Sequence, residues 1–356
     1  MILDKIYSGK RYKYYMLLPI ALFAVFAFLA FVYPTVPKGI DLQGGTLIAV
    51  RGDKPIDAVQ LKQILERQFD LRDLKVNGVS SINSSGVNVQ FAASASILNA
   101  AQQVDSAKAM LASNPAGAMQ LAQAAVNSIS GFIASAELPS QPDKAISQAE
   151  LYIIEANKTL NERIQKTITE SFSLSAATAF QIKEVSPTLS ASFWQTALNV
   201  AIMAAVFITI VIFIFFRKIV PTIAVLQAAI FDVLAALGLM AVFGVSLSLS
   251  SIPALLMLVG YSVDTDIMLT ARVLQRKEGT AAERAAGSLA TGLTMTGTTM
   301  AALLSMAIIS FTNQIFVIFE ISAVLLFGLL GDIISTWLLN AGIMLWYSEK
   351  QRKGLF

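Results

Sequence analysis

Five acidic residues interrupt long apolar stretches of this 356-residue chain, and carboxylates in such places are typical of ion chemistry. They are Asp232, Asp264, Asp266, Glu320 and Asp332, and the apolar stretches around them contain no Lys or Arg that would neutralise them. An ionised carboxylate in hydrocarbon is costly, so intramembrane acids face a bundle interior and mark ion or proton pathways. The sequence therefore predicts that these groups lie inside a helix bundle and are protonated part of the time. Asp264, Asp266 and Asp232 are the candidates for coupling an ion or the membrane potential to movement, and Glu320 and Asp332 are secondary intramembrane acids.

Asp264 and Asp266 lie two positions apart in the stretch LVGYSVDTDIML and cannot share one helix face. Two residues correspond to about 200° of rotation around a helix. Asp266 has Ser262 and Thr270 one turn away on its own side. Asp264 lies one turn from Gly260 and is expected to face a neighbouring helix.

A row of small residues in the fifth apolar stretch offers a surface for Asp264. Thr294 and Thr298 belong to this row, at the i+3/i+4 spacing that lets helices approach closely and form interhelical hydrogen bonds. These two threonines are therefore further candidates for the coupling site. Packing and helix capping would account for them equally well.

The composition predicts a protein that crosses a membrane several times. The chain is 55% hydrophobic and only 14% charged, with a mean hydropathy of +0.65, which is more apolar surface than a soluble domain can bury. The absence of Cys and His removes disulfides, thiol chemistry and most zinc and haem sites. We therefore expect no cofactor and no bound metal.

Six apolar segments reach the ~20 residues that a membrane-spanning helix needs. The first follows a basic stretch and has no small-residue cleavage pattern, so it is predicted to be an uncleaved anchor. The segments are Met16–Tyr33, Trp194–Phe216, Pro221–Phe243, Ser250–Ala271, Leu289–Phe311 and Phe316–Trp346.

The distribution of basic residues predicts the orientation. Outside residues 38–193, Lys and Arg gather in the N-terminus, the Arg217–Lys218 turn, the loop after the fourth segment and the tail, whereas the turns GVSLSLS and SFTNQ have no charge. By the positive-inside rule both termini are cytoplasmic. The predicted domains are a cytoplasmic N-terminus with the first span (1–37), an extracytoplasmic domain (38–193), spans two to six (194–348) and a cytoplasmic tail (349–356).

The extracytoplasmic region has the pattern of a small α+β unit with a helical insertion. The paired glycines of GIDLQGGT precede an alternating apolar run, which predicts a close backbone approach followed by a strand. A helix near Ile56–Phe69, strands at Leu74–Val79 and Gly86–Phe91, and a closing strand near Ala179–Val185 are expected. Residues from about 92 to 172 are rich in Ala, Ser and Gln, which favours two or three inserted helices, with partial disorder as the alternative.

Several motifs, in order along the chain, resemble the SecD/SecF family of protein-export membrane proteins, in an archaeal-like form. GIDLQGGT follows the first span, VSPTLSASFWQTAL enters the second, GYSVDTD with a later arginine lies in the fourth, and GLLGDIIST lies in the sixth. The motif residues, besides the acids already named, are Gly39, Asp41, Gly44, Gly45, Gly260 and Arg272.

The resemblance implies a non-enzymatic subunit of the Sec translocase. Such a subunit acts with a SecD-like protein beside the Sec translocon channel, and drives ATP-independent, ion- or potential-coupled movement of polypeptides across or into the membrane. It further implies the resistance-nodulation-division superfamily, a ferredoxin-like external domain, contacts with translocating polypeptides and membrane lipids, and no nucleic-acid partner.

Two positions depart from the bacterial pattern of that family. Bacterial members place a carboxylate where this chain has Thr265, whereas Asp264 matches the aspartate of the SecD pattern VDA. The bacterial arginine of the fifth span falls near Thr294. The resemblance therefore does not carry the bacterial charge pair over to this chain.

Three other functions fit some of the same features. A half-transporter of the same superfamily would export a lipid or a small molecule. An intramembrane aspartyl protease would use Asp264 and Asp332, but its G-x-G-D signature is absent. A passive scaffold would carry the acids for structural reasons, and it would keep its activity after their replacement.

Overall fold

A computed structural model describes residues 7, 12–52, 56–80, 85–92, 94–133, 136–174, 178–185, 187–276, 278–313 and 315–352. The chain divides into two compact units. One contains the residues up to Leu42 together with those from Ser190 onward, and the other is formed by Gln43–Leu189. The predicted division between membrane and extracytoplasmic residues stays a prediction.

The described residues form helices and four strands that follow the predicted elements. The helices in chain order are α1 Tyr12–Tyr15, α2 Leu17–Phe31, α3 Ile40–Gln43, α4 Ala58–Gln68, α5 Ala95–Met110, α6 Pro115–Ser128, α7 Pro142–Ser171, α8 Pro187–Phe216, α9 Ile219–Phe243, α10 Ser251–Gln275, α11 Ala281–Thr312, α12 Phe316–Ile334 and α13 Ala341–Arg352, with a π-helical segment Ser335–Asn340 between the last two. The strands are β1 Gly45–Gly52, β2 Lys75–Ser80, β3 Ser85–Phe91 and β4 Ala179–Val185.

Among the described residues, six helical stretches are long and apolar enough to cross a membrane, which confirms the prediction of a multispanning protein. They are Tyr12–Phe31, Ser192–Phe216, Ile219–Phe243, Ser251–Gln275, Ala281–Thr312 and Phe316–Gln351. The fifth begins eight residues before its predicted start. A capping box explains this extension, since the Thr280 hydroxyl accepts from the Glu283 amide at 3.2 Å and the Glu283 carboxylate accepts from the Thr280 amide at 2.9 Å.

The 43–189 unit contains one antiparallel sheet with the strand order β2-β3-β1-β4. The register pairs Ile48 with Val89 and Val50 with Val87, and all four side chains are buried on the same face. The paired glycines behave as predicted. Gly45 has a φ of +124°, and a Cβ there would lie 2.3 Å from the Phe91 carbonyl oxygen, so only glycine fits.

Helices α5, α6 and α7 are the predicted insertion, and their alanines explain its composition. Ala100, Ala107, Ala122, Ala149 and Ala156 are all completely buried in the core that these helices share with the sheet. Small side chains let the three helices pack closely. The described residues between 94 and 174 therefore form packed helices, as the first of the two alternatives predicts.

Candidate functional site

Three carboxylates from three different helices meet in the interior of the bundle. Asp232 lies on α9, Asp266 on α10 and Asp332 on α12, and each is completely buried. Among the described residues no salt bridge joins any of them to a basic group. Hydroxyl groups, an amide group and bound protons must therefore compensate their charge. We call Asp232, Asp266 and Asp332 the carboxylate cluster.

Asp232 has both of its oxygens satisfied by serine hydroxyls. Ser335 Oγ donates to Oδ1 at 2.6 Å, and Ser262 Oγ makes a short hydrogen bond to Oδ2. Ser262 lies on α10 and Ser335 lies in the π-helical segment, so Asp232 links three elements. The sequence assigned Ser262 to Asp266 instead, because the two share a side of α10.

Asp266 and Asp332 share one threonine hydroxyl. Thr336 Oγ1 lies 2.8 Å from Asp266 Oδ1 and 2.9 Å from Asp332 Oδ1. A hydroxyl has one proton to donate. Both contacts can be hydrogen bonds only when one of the two carboxyls carries a proton and donates it to Thr336, so the geometry fits a pair that holds at least one proton.

Four oxygen atoms around this pair have no partner although they are buried. Asp266 Oδ2, Asp332 Oδ2, Thr270 Oγ1 and Asn340 Oδ1 are all without a hydrogen bond, whereas Asn340 Nδ2 donates to Asp266 Oδ1 at 2.6 Å. Buried polar atoms are normally paired, so each of these four oxygens can take part in one further hydrogen bond. Within the described residues no group of three or more Asp, Glu, His or Cys side chains has an arrangement that could hold a metal ion.

The π-helical segment Ser335–Asn340 supplies three of the polar side chains of the site. Ser335 and Thr336 begin it and Asn340 ends it, and a π-turn inside an α-helix is frequent at functional sites. The Trp337 carbonyl within it accepts from the Tyr7 hydroxyl at 2.8 Å. Ser335, Thr336 and Asn340 were not among the predicted site residues, although their offsets of 3, 4 and 8 from Asp332 place them near one helix face.

Gly331 allows α9 and α12 to approach closely beside the cluster. A Cβ there would lie 2.6 Å from the Ala235 Cβ and 3.5 Å from Asp232 Oδ1. Gly331→Leu should therefore push α9 from α12, separate Ser335 from Asp232 and destabilise the protein by about 1–3 kcal/mol. Thermal unfolding of the purified protein in detergent measures this. Gly297→Leu is the control, because nothing lies within 4 Å of a Cβ at Gly297; equal melting temperatures of the two variants would contradict the role of Gly331.

Asp264 does not lie in the bundle interior, so this expectation is wrong for the chain alone. Its side chain is exposed, as are Thr294 and Thr298 on α11. The prediction that Asp264 and Asp266 occupy different faces of one helix is confirmed, because Asp266 is completely buried. The helical rotation of 200° puts one acid in the core and the other on the outer surface.

Asp264 on α10 and Thr294 and Thr298 on α11 are exposed on neighbouring helices. Arg272 Nη1 donates to Thr291 Oγ1 at 3.0 Å, which aligns the two helices. Because they are antiparallel, Asp264 and Thr298 are each about two turns from this contact. The threonine hydroxyls donate to carbonyls of their own helix, Thr294 to Ala290 at 2.9 Å and Thr298 to Met295 at 2.8 Å.

Glu320 is also displaced from the expected interior. It is half-buried, and its carboxylate accepts from the hydroxyls of Ser248 and Ser250, each at 2.6 Å. Both serines precede α10 in the turn that follows α9. The hydroxyl donors for Glu320 are concentrated in this turn. Glu320 therefore stabilises the turn at one end of the bundle.

The residues of the GIDLQGGT motif anchor the chain to that same turn. The Gly39 amide donates to the Leu247 carbonyl at 2.7 Å, and the Asp41 carboxylate accepts from the Leu249 amide at 3.3 Å. A Cβ at Gly39 would lie 3.2 Å from the Leu247 oxygen. Gly44 has a φ of +76°, whereas Gly260 has nothing within 4 Å of a Cβ.

A family model and full-length relatives match this chain. The model described as "Protein export membrane protein SecD/SecF, C-terminal" matches residues 157–350, which include the whole carboxylate cluster. The protein-export membrane protein SecF of Methanothermobacter thermautotrophicus is 30% identical over 98% of this chain and 96% of its own length. The protein of the same name from Methanocaldococcus jannaschii is 28% identical over 96% of this chain and 98% of its own length.

A solved structure shares the fold. The crystal structure of SecDF from Thermus thermophilus, titled a translocon-associated membrane protein, aligns with a TM-score of 0.60 and 15% identity. The alignment covers 95% of this chain and 38% of the solved chain. At that identity it supports the architecture of six spans with a small antiparallel sheet.

Proposed function

Because the chain belongs to the SecD/SecF family of protein-export membrane proteins, we propose that it is an accessory subunit of the Sec translocase that couples proton movement to polypeptide export. The carboxylate cluster carries this proposal. Three buried carboxyls without a basic partner, two of them joined through one hydroxyl, form a site whose packing depends on how many protons it holds. The movement of polypeptide would draw on the transmembrane gradient and not on ATP.

Protonation would change the packing of three helices at once. With a proton on Asp266 or Asp332, the Thr336 hydroxyl joins α10, α12 and the π-helical segment. Loss of that proton leaves two negative charges facing one hydroxyl, and their repulsion in a dry interior favours separation of α10 from α12. The π-turn between α12 and α13 would allow the helical register there to shift. One charge crossing the membrane field is worth ~2.3 kcal/mol per 100 mV, enough to shift a two-state equilibrium more than tenfold.

Asp264 would act at a surface shared with a SecD-like partner. A lipid-exposed carboxylate costs about 2.5–3.5 kcal/mol at the helix centre, so the exposed surface of Asp264, Thr294 and Thr298 needs a cover. Gly260 has open space beside it and belongs to the same helix. A partner half that brings polar groups or water to this surface would remove the cost and make Asp264 the second candidate coupling group.

Purification in mild detergent tests the partnership. If this chain functions in a Sec complex, a SecD-like protein should co-elute with it in fixed proportion. Elution without any SecD-like protein, from cells that produce both, would contradict the partnership.

The strand order of the 43–189 unit supports the proposal of a ferredoxin-like external domain. The sequence β1-α4-β2-β3-helices-β4 with the antiparallel order β2-β3-β1-β4 is the βαββαβ arrangement. In this arrangement the insertion α5–α7 takes the place of the second helix. We place this domain outside the membrane, where it would contact the emerging polypeptide.

Cysteine labelling tests the proposed orientation, with both termini in the cytoplasm. Glu155 on α7 and Arg276 after α10 are both exposed, and the chain has no native cysteine. In intact cells, a membrane-impermeant maleimide should label Glu155→Cys and not Arg276→Cys. Permeabilised cells are the control, where both should react, and equal labelling of both positions in intact cells would contradict the orientation.

A further inference from the structure

A deep apolar groove separates α8 from α9 and α10. It has a volume of about 600 Å³ and is lined along α8 by small side chains such as Ala201 and Ala205, and opposite them by Leu234 and Leu256. Near its end α8 packs tightly against α9 and α10, where Ile212 is completely buried. Between Trp194 and that contact, the small alanine side chains of α8 leave a gap.

The described residues that line the groove offer few polar groups to a ligand. Nearly all lining residues are Ala, Leu, Ile, Val or Phe. The hydroxyl of Thr209 is already used, since it donates to the Ala205 carbonyl at 2.7 Å. The groove lies along helices that are apolar enough to span a membrane, so its natural occupant is a hydrocarbon chain.

The length of the groove suits a lipid chain. On α8 it extends from Trp194 to Thr209, or about 22 Å at 1.5 Å per residue.

The side chain of Lys38 lies at one end of the groove. The Lys38 Nζ lies 5.4 Å from the centre of the Trp194 ring, and Trp194 lines the groove. Lys38 is exposed. A tryptophan under a lysine at the end of a membrane-spanning helix is typical of the headgroup region, where Trp prefers to lie and Lys attracts anionic lipid.

We propose that this groove binds one membrane lipid with an anionic headgroup. One hydrocarbon chain lies between Ala201 and Leu234, and the headgroup phosphate pairs with Lys38 above Trp194. The lipid fills the space that α8 leaves, and it fixes α8 against α9 and α10. This site is separate from the carboxylate cluster, and its presence does not depend on proton coupling.

The fluorescence of Trp194 tests the proposal in the full-length chain. The protein has three tryptophans, so Trp337→Phe with Trp346→Phe leaves Trp194 as the only emitter. In phosphatidylcholine vesicles, brominated phosphatidylglycerol should quench Trp194 at lower mole fraction than brominated phosphatidylcholine does. Lys38→Gln should reduce this preference roughly fivefold, the equivalent of one lysine near an anionic surface.

Groove-filling variants distinguish a built site from the general lipid annulus. Ala201→Phe with Ala205→Phe fills the groove and should remove the preference for phosphatidylglycerol. Ile202→Phe with Val206→Phe is the matched control on a face of α8 outside the groove, where both residues are exposed, and it should leave the preference intact.

Three results would overturn the lipid site. The first is equal quenching of Trp194 by the two brominated lipids. The second is that Ala201→Phe with Ala205→Phe leaves the quenching unchanged. The third is that the groove-filling pair impairs export but does not change lipid quenching, which would indicate that the groove binds a polypeptide. Because Trp337 is buried, native mass spectrometry of the protein with all its tryptophans provides a second measurement. It should find phosphatidylglycerol retained by the control pair and lost from the filled pair.

Discussion

Asp266→Asn should abolish the part of polypeptide export that the transmembrane gradient drives, a loss of tenfold or more, while the protein still inserts and assembles. Asp266 Oδ1 accepts from Thr336 and Asn340, and Oδ2 has no partner. Asparagine keeps the accepting oxygen and places its amide where Oδ2 was, so it mimics the protonated carboxyl. The site would then be fixed in one protonation state. Export of a purified substrate into energised vesicles, with and without collapse of the gradient, measures the effect.

Glu320→Gln is the control for this variant. It makes the same chemical change in a carboxylate that accepts from Ser248 and Ser250 at the end of the bundle. Its export should respond to the gradient as the unmodified protein does. If Asp266→Asn responds like Glu320→Gln, the carboxylate cluster is structural, as a passive scaffold would require.

Asp264→Lys should prevent co-purification with a SecD-like protein, whereas Asp264→Asn should assemble and lose its response to the membrane potential. Asp264 is exposed on α10, and Thr298 is exposed on the neighbouring α11. A reversed charge at a surface that must be covered costs far more than a neutral amide of the same shape. The yield of the complex and the export rate in energised vesicles separate the two effects.

The control for assembly is Val206→Lys, since Val206 is exposed on α8, outside both the groove and the Asp264 surface. That variant should retain the partner. Retention of the partner by Asp264→Lys would contradict a role for this surface in assembly.

Much of the fold follows from local patterns. The six spans follow from hydropathy, because a helix in lipid needs a minimum apolar length. The strand at Ala179–Val185 has the predicted bounds, and Gly45 has the close backbone contact that its pairing with Gly44 predicts. In both cases the signal and the structure are local in sequence.

The candidate site follows from the sequence only in part. The rotation between Asp264 and Asp266 is a property of one helix, so their separation was predictable. Which of the two faces the core depends on neighbouring helices, and hydropathy cannot distinguish a core from a surface that a partner covers. The meeting of Asp232, Asp266 and Asp332 joins residues up to 100 positions apart, and the π-turn at Ser335–Asn340 has no Gly or Pro to mark it.

Infrared difference spectroscopy of the full-length protein in lipid tests the central claim most directly, namely that the carboxylate cluster holds and exchanges protons. A change of pH on vesicles of the unmodified protein should produce a carboxylic-acid C=O band that shifts or disappears. Asp266→Asn and Asp332→Asn should each remove or displace that band, because the two carboxyls share the Thr336 hydroxyl, and Glu320→Gln should leave it unchanged. A band that is identical in the unmodified protein and in both Asp variants, or the absence of any buried carboxylic-acid band between acid and alkaline pH, would contradict proton exchange at this site.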